Sequence, residues 1–344
     1  SILQGSASGS AVYVETQTPT TNTNGLVSLE IGGGTPVIGT FSVINWASGP
    51  FFIKTETAPN GGTSYTITGT TQLLSVPYAL YAENSKQQGK TTIILANDIT
   101  DSQAAAQIAR ELGPNTENII IRNTTQLTTV DFSAATTLID ISITNNTSLN
   151  NINFSSLTKL YGDLTIDTNA ALSSVSFNNL TESQGFLIAN NPSLISVSSN
   201  AILNIYSNLS IYSNTNLSSI SFNSLTNCSG PISFNQNTNL SSISFNGLTN
   251  CSGSISFDHN TNLSSISFNG LTNCGTLSTS QNTNLSAISF PNLTSIGDIL
   301  NITDSNLVNI SFPLLVNCGQ VFINGNLNLS SISLPVLSHY IGNF

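Results

Sequence analysis

Four cysteines have the types and spacing for chemistry: Cys228, Cys251 and Cys274 stand 23 residues apart, and Cys318 follows 44 residues later. Thiolates so placed could ligate a metal or close a disulfide, but Cys-x-x-Cys spacing is absent. All four occupy one sequence column, which Leu160 and Ile296 fill elsewhere. A position that accepts Leu, Ile or Cys reads as apolar core, where a free thiol behaves as a small hydrophobe. In parallel, in-register strands, neighbouring cysteines would lie about 5 Å apart at Cα, within disulfide reach but with parallel side-chain vectors. The spacing predicts buried, reduced thiols ahead of a single disulfide, and a metal least of all.

The histidines are His259 and His339. Asp258-His259 has the composition of an acid–base dyad, yet adjacent strand residues point to opposite faces. A solvated turn is the expectation for His259. The acids after Lys159 are Asp163, Asp167, Glu182, Asp258, Asp298 and Asp304, scattered over different repeats. A glycosidase or lyase would need a carboxylate pair, or carboxylates with Lys or Arg, on one face. Asp163 and Asp167 could contribute to calcium at a coil turn. Two serine columns remain: Ser210, Ser233 and Ser256, and Ser221, Ser244, Ser267, Ser289, Ser311 and Ser333. Flat hydroxyl ladders can meet ice or glycans, but Ser lacks the methyl of Thr, and small soluble filler is the simpler reading. No catalytic, cofactor-binding or metal-ligating residue is assigned, no cofactor is expected, and the chain reads as a non-enzyme.

The elements that carry these residues repeat. From Ile119 onward a coil such as Ile232, Phe234, Asn237, Leu240, Ile243, Phe245, Leu248, Cys251 recurs 23 residues later as Ile255, Phe257, Asn260, Leu263, Ile266, Phe268, Leu271, Cys274. An Asn column runs through Asn146, Asn169, Asn191, Asn214, Asn237, Asn260, Asn282 and Asn326, with Thr124 and Ser305 in its place in two coils. Each coil has two apolar–polar–apolar strands, such as Ile255-Ser256-Phe257 and Ile266-Ser267-Phe268, whose outer residues point inward. The Asn is expected at a tight turn, stacking on the Asn above and below. About ten coils over 119–344 at about 4.8 Å each make a right-handed β-solenoid near 50 Å long.

Upstream, residues 91–118 read as a strand and one helix, an N-terminal cap for the array. Thr100 and Gln103 make a capping box, Ala105, Ile108 and Leu112 share a face, and Gly113-Pro114 stops the helix. Residues 84–90 are a polar linker. Residues 1–83 read as a β-sandwich-like domain of short strands, including Ala11–Val14, Leu26–Ile31 and Phe51–Thr55, separated by Gly, Pro and Asn.

Composition excludes whole classes. Only 6% of residues are charged, against roughly 25% in ordinary domains, so Ser, Thr and Asn must supply the polar surface. Net charge is −10, and no Lys or Arg follows Lys159, which argues against nucleic acid and anionic membranes. No apolar run approaches the roughly 18 residues of a membrane span. A chain without Met that begins at Ser1 reads as processed, trimmed or part of something longer, and it contains no signal peptide.

Two resemblances follow from these residues. Ile-x-Phe-x-x-Asn-x-x-Leu-x-x-Ile-x-Phe-x-x-Leu, and Leu293 to Leu315 especially, resembles the receptor L-domain variety of leucine-rich repeat over roughly 91–344. Residues 24–56, followed by 69–85 with the run Ser75-Val76-Pro77-Tyr78-Ala79-Leu80-Tyr81-Ala82, are similar to an N-terminal β-domain of secreted Bacteroidota proteins. In that family strands precede the position of Ser1, so the resemblance implies a domain lacking its first strand or strands. It also implies an extracellular or cell-surface protein, structural or adhesive. The implied partner is another copy, added by strand complementation into a pilus-like filament, or else a surface glycan or receptor, as for an adhesin or phage tail-fibre tip.

Overall fold

The computed structural model describes residues 1–46, 48–74 and 88–340. The run Ser75–Ala82 and most of the linker expected at 84–90 lie outside the described residues. The chain divides into two compact units, Ser1–Glu83 and Asn84–Phe344.

The first unit is one antiparallel sheet of five strands: β1 (Ile2–Gln4), β2 (Ser10–Thr16), β3 (Thr35–Ile38), β4 (Phe51–Thr57) and β5 (Ile67–Gln72). Their order is β3-β2-β1-β4-β5. β1 is therefore the middle strand, with Ile2 opposite Tyr13 on one side and Ile53 on the other. Ile2, Tyr13 and Phe51 are buried, and Phe41, Ile44 and Ile53 pack against them. Edge-to-face contacts run from Tyr13 to Phe41, Trp46 and Phe51.

Leu26–Ile31, expected as a strand, is irregular and exposed. Its ends are held by polar side chains instead. The Asn22 side chain accepts the N–H groups of Asn24 and Leu26, and the Glu15 carboxylate accepts those of Gly32 and Gly34. Local hydrogen bonds of this kind compete with a sheet ladder, and here they win. Burial tends to raise the Glu15 pKa. The N–H of Gly34, the Tyr13 hydroxyl, the Gln17 amide and the N–H of Gly32 outweigh it and leave the carboxyl below its ordinary range.

The second unit begins with strand Thr92–Ala96 and helix α1 (Asp101–Glu111). Thr100 and Gln103 form the reciprocal capping box. The buried face is Ala104, Ile108 and Glu111, a small rotation from the expected Ala105, Ile108 and Leu112. Polar anchors set that rotation. The Gln107 amide donates to Ile94 O, and the buried Glu111 carboxylate is paired with Lys90 and Arg110, each at 2.8 Å.

After the cap come parallel coils, about eleven turns counted on the large sheet. That sheet runs from Thr92–Ala96 through Asn118–Arg122, Asp140–Thr144, Lys159–Asp167 and Glu182–Ala189 on to Ser295–Thr303, Asn317–Asn324 and His339–Tyr340. In coils such as Asn250–Cys251 plus Ile255–Ser256 it is crossed in two short pieces. A second, narrower set of rungs includes Ser242–Ser244, Ser265–Ser267 and Ala287–Ser289. Alternation puts Ile and Leu of both sets inward, where Ile119, Ile141, Leu164 and Phe186 stand in register and fully shielded. A phenylalanine column, Phe222, Phe245, Phe268, Phe290 and Phe312, stacks at ring-centroid distances of 5.3–5.9 Å.

The Asn column lies at 0% exposure from Asn146 to Asn282. Each Asn Oδ1 accepts the backbone N–H of its counterpart one coil earlier, as in Asn214 N to Asn237 (3.1 Å) and Asn237 N to Asn260 (2.8 Å). Each Nδ2 donates to a strand carbonyl of the coil before, as Asn237 does to Ile211 O (2.7 Å). The residue preceding each ladder position has φ between 51° and 69°: Asn123, Asn145, Thr168, Asn190, Ser213, Gln236, His259, Gln281, Asp304 and Gly325. A left-handed residue turns the chain so that the next side chain aims along the solenoid axis.

Candidate interaction surfaces

The cysteines are free and buried. Burial pushes the Cys228 thiol up to about 11 and Cys251 up to about 12, and raises Cys274 and Cys318 as well. Their column is more than apolar. Cys228 Sγ donates to Ser207 O and Gly230 O, the same pair of carbonyls, two coils on, that buried Ser183 reaches at Gly162 O and Gly185 O. The register Leu160, Ser183, Ile205, Cys228, Cys251 makes the equivalence direct. A thiol here is a weak donor closing a polar gap.

The Asp258-His259 pair is not a dyad. Asp258 accepts Ser256 Oγ, Ser278 Oγ and Ser280 N, while His259 is exposed in the left-handed turn. His339 is exposed and bonds Ser338 through Nδ1. Asp163 and Asp167 are separately engaged, by its backbone N–H with Asp140 and by its carboxylate with Asn190. Among the described residues no group of three or more His, Cys, Asp or Glu could hold a metal ion. The serine ladders are occupied in part. Ser267 and Ser289 donate to Asn246 and Asn269 of the coils before them, and Ser256 donates to Asn235.

Two surface features were not anticipated. The first is a groove of about 770 Å³ between α1 and the first narrow rung, with Ile108, Leu112, Val130 and Leu138 in its wall. At its head Asp101 accepts Thr128 N (2.7 Å) and Thr129 N (3.2 Å). In the next coil the equivalent donors, Asn150 N and Asn151 N, go to the backbone carbonyl of Thr128. The Asp101 side chain thus stands in for a missing coil. Hydrogen bonds from the Thr128 hydroxyl, then from Thr128 N–H and Thr129 N–H, keep its carboxyl low.

The second is a cluster on the outer face of the large sheet. Lys159 and Glu182 are register partners and form a 2.9 Å ion pair. The Tyr206 hydroxyl donates to Glu182 at 3.1 Å. Tyr161, Gln184 and Tyr206 each follow an inward column member, Leu160, Ser183 and Ile205, and so point outward on three successive rungs. A bulge in the pairing between Leu160 and Asp163 carries Tyr161. Gly162 permits it, since a Cβ there would meet Asp140 Oδ1 at 2.2 Å. In later coils the same column is Ser229, Ser252, Gly275, Gly297 and Gly319, so the interruption by two tyrosines was visible in the sequence once this column was drawn.

The fold defines a β-solenoid of leucine-rich-repeat-like form, preceded in the chain by a small antiparallel sheet. No helix among the described residues is long and apolar enough to cross a membrane. No protein-family model, curated protein or solved structure matches the chain.

Proposed function

We propose that the protein is a structural surface component, exposed outside the cell, whose N-terminal sheet joins copies into a filament by strand addition. The observation that carries this reading is the state of β3 and β5. Both edge strands are exposed along their whole length. Around them Val37 is 60% exposed, Ile67 59% and Leu74 78%. A sheet edge with apolar neighbours is a template for another strand. Among the described residues the outer edges of β3 and β5 carry no further strand, while β1 is paired on both sides, so the added strand extends an edge instead of filling a gap beside Ser1. Joining one copy's edge to a different segment of the next is a heterologous contact, which propagates into a filament where its rotation does not close into a ring. A shortage of cations and a Ser/Thr/Asn surface suit a secreted scaffold that meets neither nucleic acid nor an anionic membrane.

Leu73 N–H donates to Phe51 O. In an antiparallel ladder alternate residues pair, so Thr68 and Thr70 direct their N–H groups outward. Thr70→Pro removes an outward donor and leaves the β4–β5 ladder intact. Electron microscopy and light scattering of the full chain are expected to find filaments for the parent protein and monomers for Thr70→Pro. A parent protein that remains monomeric at high concentration would sink the reading.

A further inference from the structure

The outward rungs at 159–161, 182–184 and 204–206 join aromatic faces to a single ion pair. We infer that Tyr161, Gln184 and Tyr206, with Lys159 and Glu182, form a binding platform for a neutral, extended β-linked polysaccharide lying along the solenoid axis. This goes beyond self-association, which uses the other unit of the chain.

Chemistry selects the ligand. Tyr161 is 61% exposed and Tyr206 48%, large values for aromatic rings in a column that holds Ile139 and Gln184 beside them and only Ser and Gly from Ser229 to Gly319. Exposed tyrosines offer a rigid apolar face and a polar tip at small entropic cost. The C–H faces of pyranose rings stack on such faces, and their hydroxyls need donors and acceptors nearby. Lys159 donates, Glu182 accepts and the exposed Gln184 amide does both. Lys159 Nζ is already matched by Glu182, leaving no unpaired cation in the cluster to attract an acidic glycan. Beyond Lys159 the chain has six carboxylates and no Lys or Arg, which repels one further. A peptide partner is disfavoured by the surface itself, an open sheet face whose coils from Ser229 to Gly319 present only Ser and Gly in this column.

Spacing selects the linkage. Tyr161 and Tyr206 stand two rungs apart, about 9.6 Å at a strand spacing of about 4.8 Å. In an extended β-1,4 chain every second sugar presents the same face, and the two-sugar repeat is close to that distance. The two rings can therefore stack on sugars n and n+2, with the middle sugar over Gln184 and Glu182. An α-1,6 chain has no such straight repeat.

The test is isothermal titration of the full chain with cellohexaose and chitohexaose, alongside dextran and polygalacturonate. At least one β-1,4 hexamer is expected to bind, with dextran and polygalacturonate silent. Tyr161→Ala and Tyr206→Ala should each weaken association by about tenfold or more. Gln184→Ala should weaken it less, and thermal unfolding should be unchanged in all three. Failure of both hexamers to bind at millimolar concentration would overturn the inference. So would binding that survives both tyrosine substitutions, or a preference for polygalacturonate.

Discussion

Asn237 accepts Asn214 N–H at Oδ1 and donates through Nδ2 to Ile211 O, so one primary amide closes two backbone gaps in the coil before its own. Its own N–H is closed in turn by Asn260. Only a side chain with an acceptor and a donor of that length can do this, which is why the column was legible from residue types alone. The residue before it was not. Seven residue types occupy that left-handed turn, because the constraint falls on φ and leaves the side chain in water. The cysteine column was half legible: burial followed from Leu160 and Ile296, whereas the paired carbonyls emerge only from Ser183. Asn237→Ala is expected to strand Asn214 N–H and Ile211 O away from water and to cost about 1–3 kcal/mol. Urea unfolding measures it, with exposed Asn239→Ala as the neutral control. Equal stability of the two variants would show that the ladder contributes nothing.

At the scale of elements, the sequence placed the cap helix to within a residue, because a capping box and a Gly-Pro stop are local signals. Its rotation depended on partners distant in sequence, Lys90 and Ile94, and could not be read from periodicity. The first unit was harder for the same reason: Leu26–Ile31 has strand-like residues, but Glu15 and Asn22 hold its ends in irregular form. Glu111 gives the cap a pH dependence. Burial would raise its pKa, but hydrogen bonds from Lys90, Arg110 and Gln107 prevail and hold it at about 2. A depressed carboxylate stabilises the fold fully above its unfolded value of about 4.3, and that contribution is lost as pH falls through the folded value. Thermal unfolding between pH 5 and pH 2, measured at about half-unit steps, should therefore show a steep loss of stability. Glu111→Gln is expected to lower stability at neutral pH by about 1–3 kcal/mol and to flatten the acid slope. An unchanged slope would place the acid sensitivity elsewhere.

For the whole molecule, the columns make the solenoid quasi-one-dimensional, with each coil answering only to its two neighbours. Ile232 pairs with Ile255, and Ile255 with Leu277, so one inward position is filled three times by interchangeable side chains. Removing one complete coil should then leave every column continuous. Deleting residues 235–257 joins Phe234 to Asp258, moves Asn260 into the ladder place of Asn237, and sets Phe268 against Phe222 in the stack. The shortened protein is expected to fold cooperatively, with a urea m-value lower by about a tenth, the share of one coil among about eleven. Deleting only residues 235–245 removes the same ladder Asn but shifts the following strands out of step with the coils on either side. Inward Ile and Phe would then face water, and outward Ser and Asn would face the core. That variant is expected to be unfolded or aggregated. Circular dichroism and urea titration of the two deletions separate the possibilities. If the whole-coil deletion also fails to fold, the coils are not interchangeable units, and the stability of the array resides in some particular coil that the deletion removed.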